Sequence, residues 1–180
     1  GCARGDVLEI INEAGMKSYG LEYSSNSVSH GKSLGRNITK SFIGDSKKIK
    51  NGPFQAFFCF NFFEHMPDPQ LFIKTVYNNL SDKGVGLITV PNLDYLIKTK
   101  SFYEFVADHL SYFTTDTLKF AFESNKFNVL ECFLINNDND ILIKVQKNPN
   151  KKIKKVKKIK KINIYNKFQS VKILINKLKF

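Results

Sequence analysis

Hydrophobic spacing along the chain switches repeatedly between a helical period and short apolar runs. Val7, Leu8, Ile10, Ile11 and Ala14 recur at helical intervals, and Gly15 stands where a C-terminal cap belongs, which predicts a helix after the opening glycines. Tyr19-Gly20-Leu21-Glu22 reads as a short buried strand, Asn26 to Gly35 as a weak helix, and Ser41-Phe42-Ile43-Gly44-Asp45 as a second strand ending in an acid. Phe54 to Phe60 is mostly apolar and too short for an ordinary helix, so a central strand is expected there. Pro67-Asp68-Pro69 opens a helix through Leu80, with Asp68 placed to favour its positive end, and Ser81-Asp82-Lys83-Gly84 closes it. Val85 to Val90 is a further buried strand stopped by Pro91, and Thr114 caps a helix reaching about Asn125. Val129 to Ile135 and Ile141 to Val145 form a closing pair of strands across Asn136-Asn137-Asp138-Asn139-Asp140, a run with turn chemistry.

Such alternation implies an α/β fold with a doubly wound, mainly parallel sheet covered on both faces, and an antiparallel hairpin at its C-terminal edge. A hydrophobic fraction of 42% with 17 Phe supports a packed interior, and no run reaches the roughly 18 apolar residues that a membrane span needs.

Charge divides the chain unevenly. Residues 151–180 hold 12 of the 28 basic residues and none of the 16 acidic ones, so the body is neutral and the net charge of +12 belongs to the tail. This separates a domain over 1–147 from a basic tail over 148–180. Within the tail, Ile164, Phe168, Val171, Ile175 and Leu178 fall on one helical face opposite Lys167, Lys172 and Lys177. The expected partner is an anionic membrane surface, to which each lysine contributes about 1 kcal/mol. Nucleic-acid binding through lysine alone, a solvated tail and a helix docked on the body are the competing readings. The opening residues have neither the basic end nor the apolar stretch of a secretory signal, and Cys2, Cys59 and Cys132 are scattered. A cytoplasmic protein, peripheral at the inner face of the membrane, is expected.

Doubly wound sheets bind ligands beyond the carboxyl ends of their strands, where a glycine turn feeds a helix and an acid at the next strand end accepts from ribose hydroxyls. Gly1-Cys2-Ala3-Arg4-Gly5 and Glu22 supply both parts. With Gly44-Asp45-Ser46, Phe54-Gln55-Ala56, Phe63-Glu64-His65-Met66-Pro67-Asp68-Pro69, Leu80-Ser81-Asp82-Lys83-Gly84 and Val90-Pro91-Asn92 in order behind them, residues 1–147 resemble the class I S-adenosylmethionine-dependent methyltransferases, of Rossmann-like fold. The resemblance implies S-adenosyl-L-methionine as cofactor, with Gly1, Cys2, Ala3 and Gly5 as the glycine-rich motif. It further implies Glu22 on the ribose, Asp45 and Ser46 at the adenine, and Phe60 and Asn61 beside the cofactor at the end of the family's fourth strand. The chain departs from the pattern in having Ala3 for the middle glycine and Gln55 for an aspartate. It also begins at the glycine turn, so the family's first strand is expected to be missing, leaving two neighbouring strands with unpaired backbone groups.

Methyl transfer from a sulfonium is an in-line displacement with an activated donor, so the protein must align the acceptor and remove its proton. His109 lies in Asp108-His109-Leu110-Ser111-Tyr112-Phe113-Thr114, which resembles a segment of methyltransferases acting on sugars, including carbon-methylating ones that use such residues as acid–base groups. The resemblance implies His109 as the base, assisted by Tyr112 or Asp108; the plainer reading is a histidine that caps the following helix. His65, beside Glu64, is the second catalytic candidate, against a purely structural loop histidine, while His30 has no partner in sequence. No cysteine–histidine spacing suggests zinc, so no metal is expected. The functional expectation is methyl transfer to a sugar or glycan precursor. The competing one is a non-catalytic remnant that binds membrane or nucleic acid.

Overall fold

The computed structural model describes residues 1–44 and 48–153. Helix α1 (Asp6–Glu13) starts directly after Gly5, whose φ of 88° is open to glycine and strained for other residues. Arg36 holds the start of the helix through Asp6, at 2.6 Å, and through Glu9. Strand β1 (Gly20–Glu22) pairs in parallel with β2 (Ile38–Lys40), and between them runs α2 (Ser25–Ser33), capped by the Ser24 hydroxyl. A small core of Leu8, Val28 and Ile38, with Cys2 against it, holds this half together.

The larger half is a four-stranded sheet in the order β3-β4-β6-β5. Strand β3 (Phe54–Phe60) pairs in parallel with β4 (Leu80–Pro91). The hairpin of β5 (Phe127–Ile135) and β6 (Asp140–Lys147) adds antiparallel to β4. Helix α3 (Pro69–Asn79) begins with Pro69 at its first position and Asp68 accepting from Leu71 N–H at 2.9 Å. Helix α4 (Leu93–Thr99) is capped by Asn92, and α5 (Thr115–Glu123) by a Thr114–Thr117 capping box. A single core joins the four-stranded sheet, α3 and α5 around Phe63, which is fully buried, with ring centroids 5.0 Å from Phe113, 5.1 Å from Phe72 and 5.6 Å from Phe122.

Several expectations are corrected. The sheet is not one mainly parallel sheet: β1-β2 and β3-β4-β6-β5 are separate, and the hairpin makes half of the strand pairings antiparallel. β3 is an edge strand of its sheet, with Phe58 and Phe60 exposed, because nothing among the described residues pairs its outer side. The second strand falls at Ile38–Lys40, where Ile38 points into the small core, rather than at 41–45. Only Leu8 of the α1 apolar positions is buried, while Val7 and Ile10 are exposed. Residues 81–84 do close α3, but as a bulge inside β4 between the Phe54–Leu80 and Ala56–Val85 pairs. Helix α4 was not anticipated. The tail face Ile164, Phe168, Val171, Ile175 and Leu178 lies outside the described residues, and no described helix is long and apolar enough to cross a membrane.

Replacing Phe63 by Ala removes the side chain on which α3, α5 and the 113 loop converge. Phe63→Ala is expected to lower stability by about 3–5 kcal/mol in urea unfolding, as for other fully buried aromatics, whereas the exposed Phe58→Ala should change it by less than about 1 kcal/mol.

Candidate functional site

The carboxyl end of β1 is tied to the glycine turn. Cys2 N–H donates to Leu21 C=O at 2.9 Å and Gly5 N–H to Cys2 C=O at 2.9 Å, which closes the turn against the strand. Glu22 accepts from Ala3 N–H through Oε2 and from Tyr23 and Ser24 N–H through Oε1, at 2.8–2.9 Å. Burial pushes this carboxyl up, but donation from Ser24, Ala3 and Tyr23 outweighs it and holds the group below its ordinary value. A Cβ on Gly1 would collide with Glu22 Oε2, so glycine at that position is what lets the carboxylate reach the turn. Ala3 adopts a φ of 48°, a left-handed conformation that costs an alanine about 1–2 kcal/mol.

The second half of the site forms where β3 ends. Asn61, at φ 43°, donates its N–H to Thr89 C=O at 3.0 Å and accepts from the Thr89 hydroxyl at 2.5 Å, which fixes the exit from β3. The next residues make a 3₁₀ turn, Phe63–His65, in which Phe63 enters the core and carries Glu64 and His65 with it. Glu64 is 2% exposed, and its carbonyl accepts from Leu110 N–H at 2.9 Å and Ser111 N–H at 3.0 Å, docking the segment that contains His109. His65 Nδ1 lies 2.8 Å from Asp108 C=O, and the His65 and His109 rings meet edge-on at 4.8 Å. Burial pushes the Glu64 carboxyl above the usual carboxylate range.

The structure thus brings His65 and His109 together, two residues that sequence separated by 44 positions. Asp108 does not support His109: its exposed carboxylate faces His65 Nδ1 at 3.6 Å. Tyr112 packs its ring on Phe105 at 5.0 Å, lies 6.1 Å from the His109 ring, and donates weakly to Glu104 C=O. His109 is not the cap of α5, a role Thr114 fills. Phe60 is exposed at the strand end, His30 is exposed on α2, and Asp45 and Ser46 lie outside the described residues.

A family described as a methyltransferase domain matches residues 1–132 of this chain. The chain belongs to that family. S-adenosylmethionine is the methyl donor of this family. The C-methyltransferase NovU of Streptomyces niveus is 26% identical over 135 residues, covering 73% of this chain but only 32% of NovU. Among solved structures, a SAM-dependent methyltransferase from Archaeoglobus fulgidus superposes with a TM-score of 0.62 at 21% identity, over 82% of this chain and 83% of its own. The magnesium protoporphyrin IX methyltransferase of Synechocystis PCC 6803, solved with bound SAH, gives 0.65 at 12% identity, over 82% and 72%. The [4+2]-cyclase SpnF gives 0.66 at 11% identity, over 82% and 72%, so this fold alone does not specify the reaction.

The residues of this methyltransferase domain fit the donor at the glycine turn. Glycine at position 1 makes room for the Glu22 carboxylate against the turn, and while Oε1 already accepts two amides, Oε2 accepts one and keeps a lone pair for a hydroxyl donor. What sequence inspection missed is Glu64, named there only as a neighbour of His65; an acid followed by a histidine just after a strand was the available signal. Asn92 was missed too, although Asn92-Leu93-Asp94 carries a helix-start signature.

Glu22→Ala leaves three amides without their acceptor and is expected to cost about 1–3 kcal/mol in urea unfolding at neutral pH. A carboxyl held below its unfolded value stabilises above the ordinary carboxylate range, and that contribution is lost as pH falls through the depressed value. The parent and variant should therefore converge in stability at acid pH.

Proposed function

We propose that this chain, with 1–147 as its domain and 148–180 as a basic tail, methylates a carbon atom of a sugar or glycan precursor, with His109 as general base. The observation that carries this reading is the paired His65 and His109 over the buried Glu64, at the carboxyl end of β3, where open α/β sheets hold their ligands. The histidine segment's likeness to sugar methyltransferases supports the acceptor class, and the naming of NovU as a C-methyltransferase supports carbon as the acceptor atom.

When bound, S-adenosylmethionine supplies a methyl group already activated by its sulfonium, and transfer leaves a neutral thioether. The chain's own part is to position the acceptor and accept a proton. His109 Nδ1 is buried and has no hydrogen-bond partner among the described residues, so that nitrogen is not spent on a hydrogen bond within the fold. His109 removes a proton from the carbon next to the acceptor's carbonyl, and the freed electron pair forms the carbon–methyl bond as the sulfur–methyl bond breaks. His65 packs edge-on against the base and fixes its ring, itself anchored by Asp108 C=O. Glu22 and the glycine turn would hold the donor.

Incubation with methyl-labelled donor and a panel of nucleotide-linked keto sugars tests this. A product heavier by one methyl, with a carbon-bound methyl resonance, is expected, and His109→Asn should lower kcat by about 10²–10⁴ with little effect on S-adenosylhomocysteine affinity. An oxygen-bound methyl, or full activity in His109→Asn, contradicts the assignment.

A further inference from the structure

We propose that Glu64, His65 and His109 form a binding site for a divalent transition-metal ion of the zinc class. One donor atom from each of the three residues lies within 4.8 Å of the others, and His65 Nε2 stands 3.9 Å from Glu64 Oε1. Bonds of about 2.0–2.1 Å at tetrahedral angles place ligand atoms roughly 3.3 Å apart, so side-chain movements of about 1 Å bring the three into one coordination shell.

The orientation of His65 is the one an imidazole ligand needs. A carbonyl oxygen only accepts, so the 2.8 Å contact with Asp108 C=O places the proton of His65 on Nδ1 and leaves Nε2 bare toward Glu64. Donation of the second ring nitrogen to a backbone carbonyl is the usual support for a metal-bound histidine. Two further atoms are left over by the fold itself. Glu64 Oε2 and His109 Nδ1 are buried with no hydrogen-bond partner among the described residues, although the Glu64 side chain is only 3% exposed. An unpaired buried carboxylate oxygen is costly, and a cation among three ligands removes that cost. Two imidazoles with one carboxylate suit zinc, cobalt or iron(II) better than the all-oxygen preference of magnesium or calcium, and three protein ligands leave a fourth position open.

The site stands on these donors whether or not the chain methylates a sugar. If His109 is the base, however, the ion and the acceptor's proton compete for the same histidine. Zinc is then an inhibitor, and its removal restores turnover.

Chelator-treated protein is titrated with Co²⁺, read by its visible d–d absorption, and the Co²⁺ is then displaced by Zn²⁺. One ion per chain is expected, with a spectrum lacking a thiolate charge-transfer band, and affinity about tenfold or more weaker in Glu64→Gln and in His109→Asn. Far-UV circular dichroism checks that each variant is folded; two substitutions of unlike chemistry keep the test decisive if one fails to fold. Absence of binding by the folded parent overturns the proposal. So does a thiolate band, which would assign the ion to Cys2, Cys59 or Cys132, or an affinity that neither substitution changes. Activity is not part of this readout, so failure of the methyl-transfer reading would not imitate failure of the metal site.

Discussion

Burial of Phe63 is the interaction on which both core and site depend. Its ring fills the space between α3, α5 and the loop reaching Phe113, and the same 3₁₀ turn presents Glu64 and His65 on the residues that follow. Because the backbone of Glu64 accepts two amides from the His109 segment, the hydrophobic anchor also sets where the second histidine stands. The polar cluster is therefore held from beneath by dispersion and desolvation, and its geometry does not rest on exposed charge pairs, which contribute little on their own.

The other half of the site is organised by an acid and backbone amides. Glu22 closes β1 onto the glycine turn through three N–H donors, and this arrangement replaces much of the packing that α1 lacks, with Val7 and Ile10 exposed. The two halves have separate cores and separate sheets, so few contacts tie the end of β1 to the end of β3. Such a boundary suits a ligand that bridges both sides and stabilises by mass action.

Much of this was legible from residue order. The helix start at Pro67-Asp68-Pro69, the Thr114 cap, the Phe54–Phe60 run and the hairpin around Asn136–Asp140 each rest on local chemistry, and each element appears where that chemistry placed it. Pairing was less legible, because whether β3 is central or an edge depends on a neighbour that its own sequence does not encode. The meeting of His65 with His109 was hidden for the same reason: their proximity comes from the Glu64 carbonyl and from Phe113 stacking on Phe63, which are contacts without a sequence period. Glu64 itself looked like an ordinary loop acid, and only its burial shows otherwise.

A methyl donor bound across the ends of β1 and β3 would be held by the glycine turn and Glu22, and hydrogen–deuterium exchange with and without S-adenosylhomocysteine reads this contact. Slowed exchange is expected in residues 1–5, 20–24 and 60–66 together, with the β5–β6 hairpin unchanged. Protection confined to the hairpin or α5, or no change in a folded protein at saturating ligand, would contradict the account.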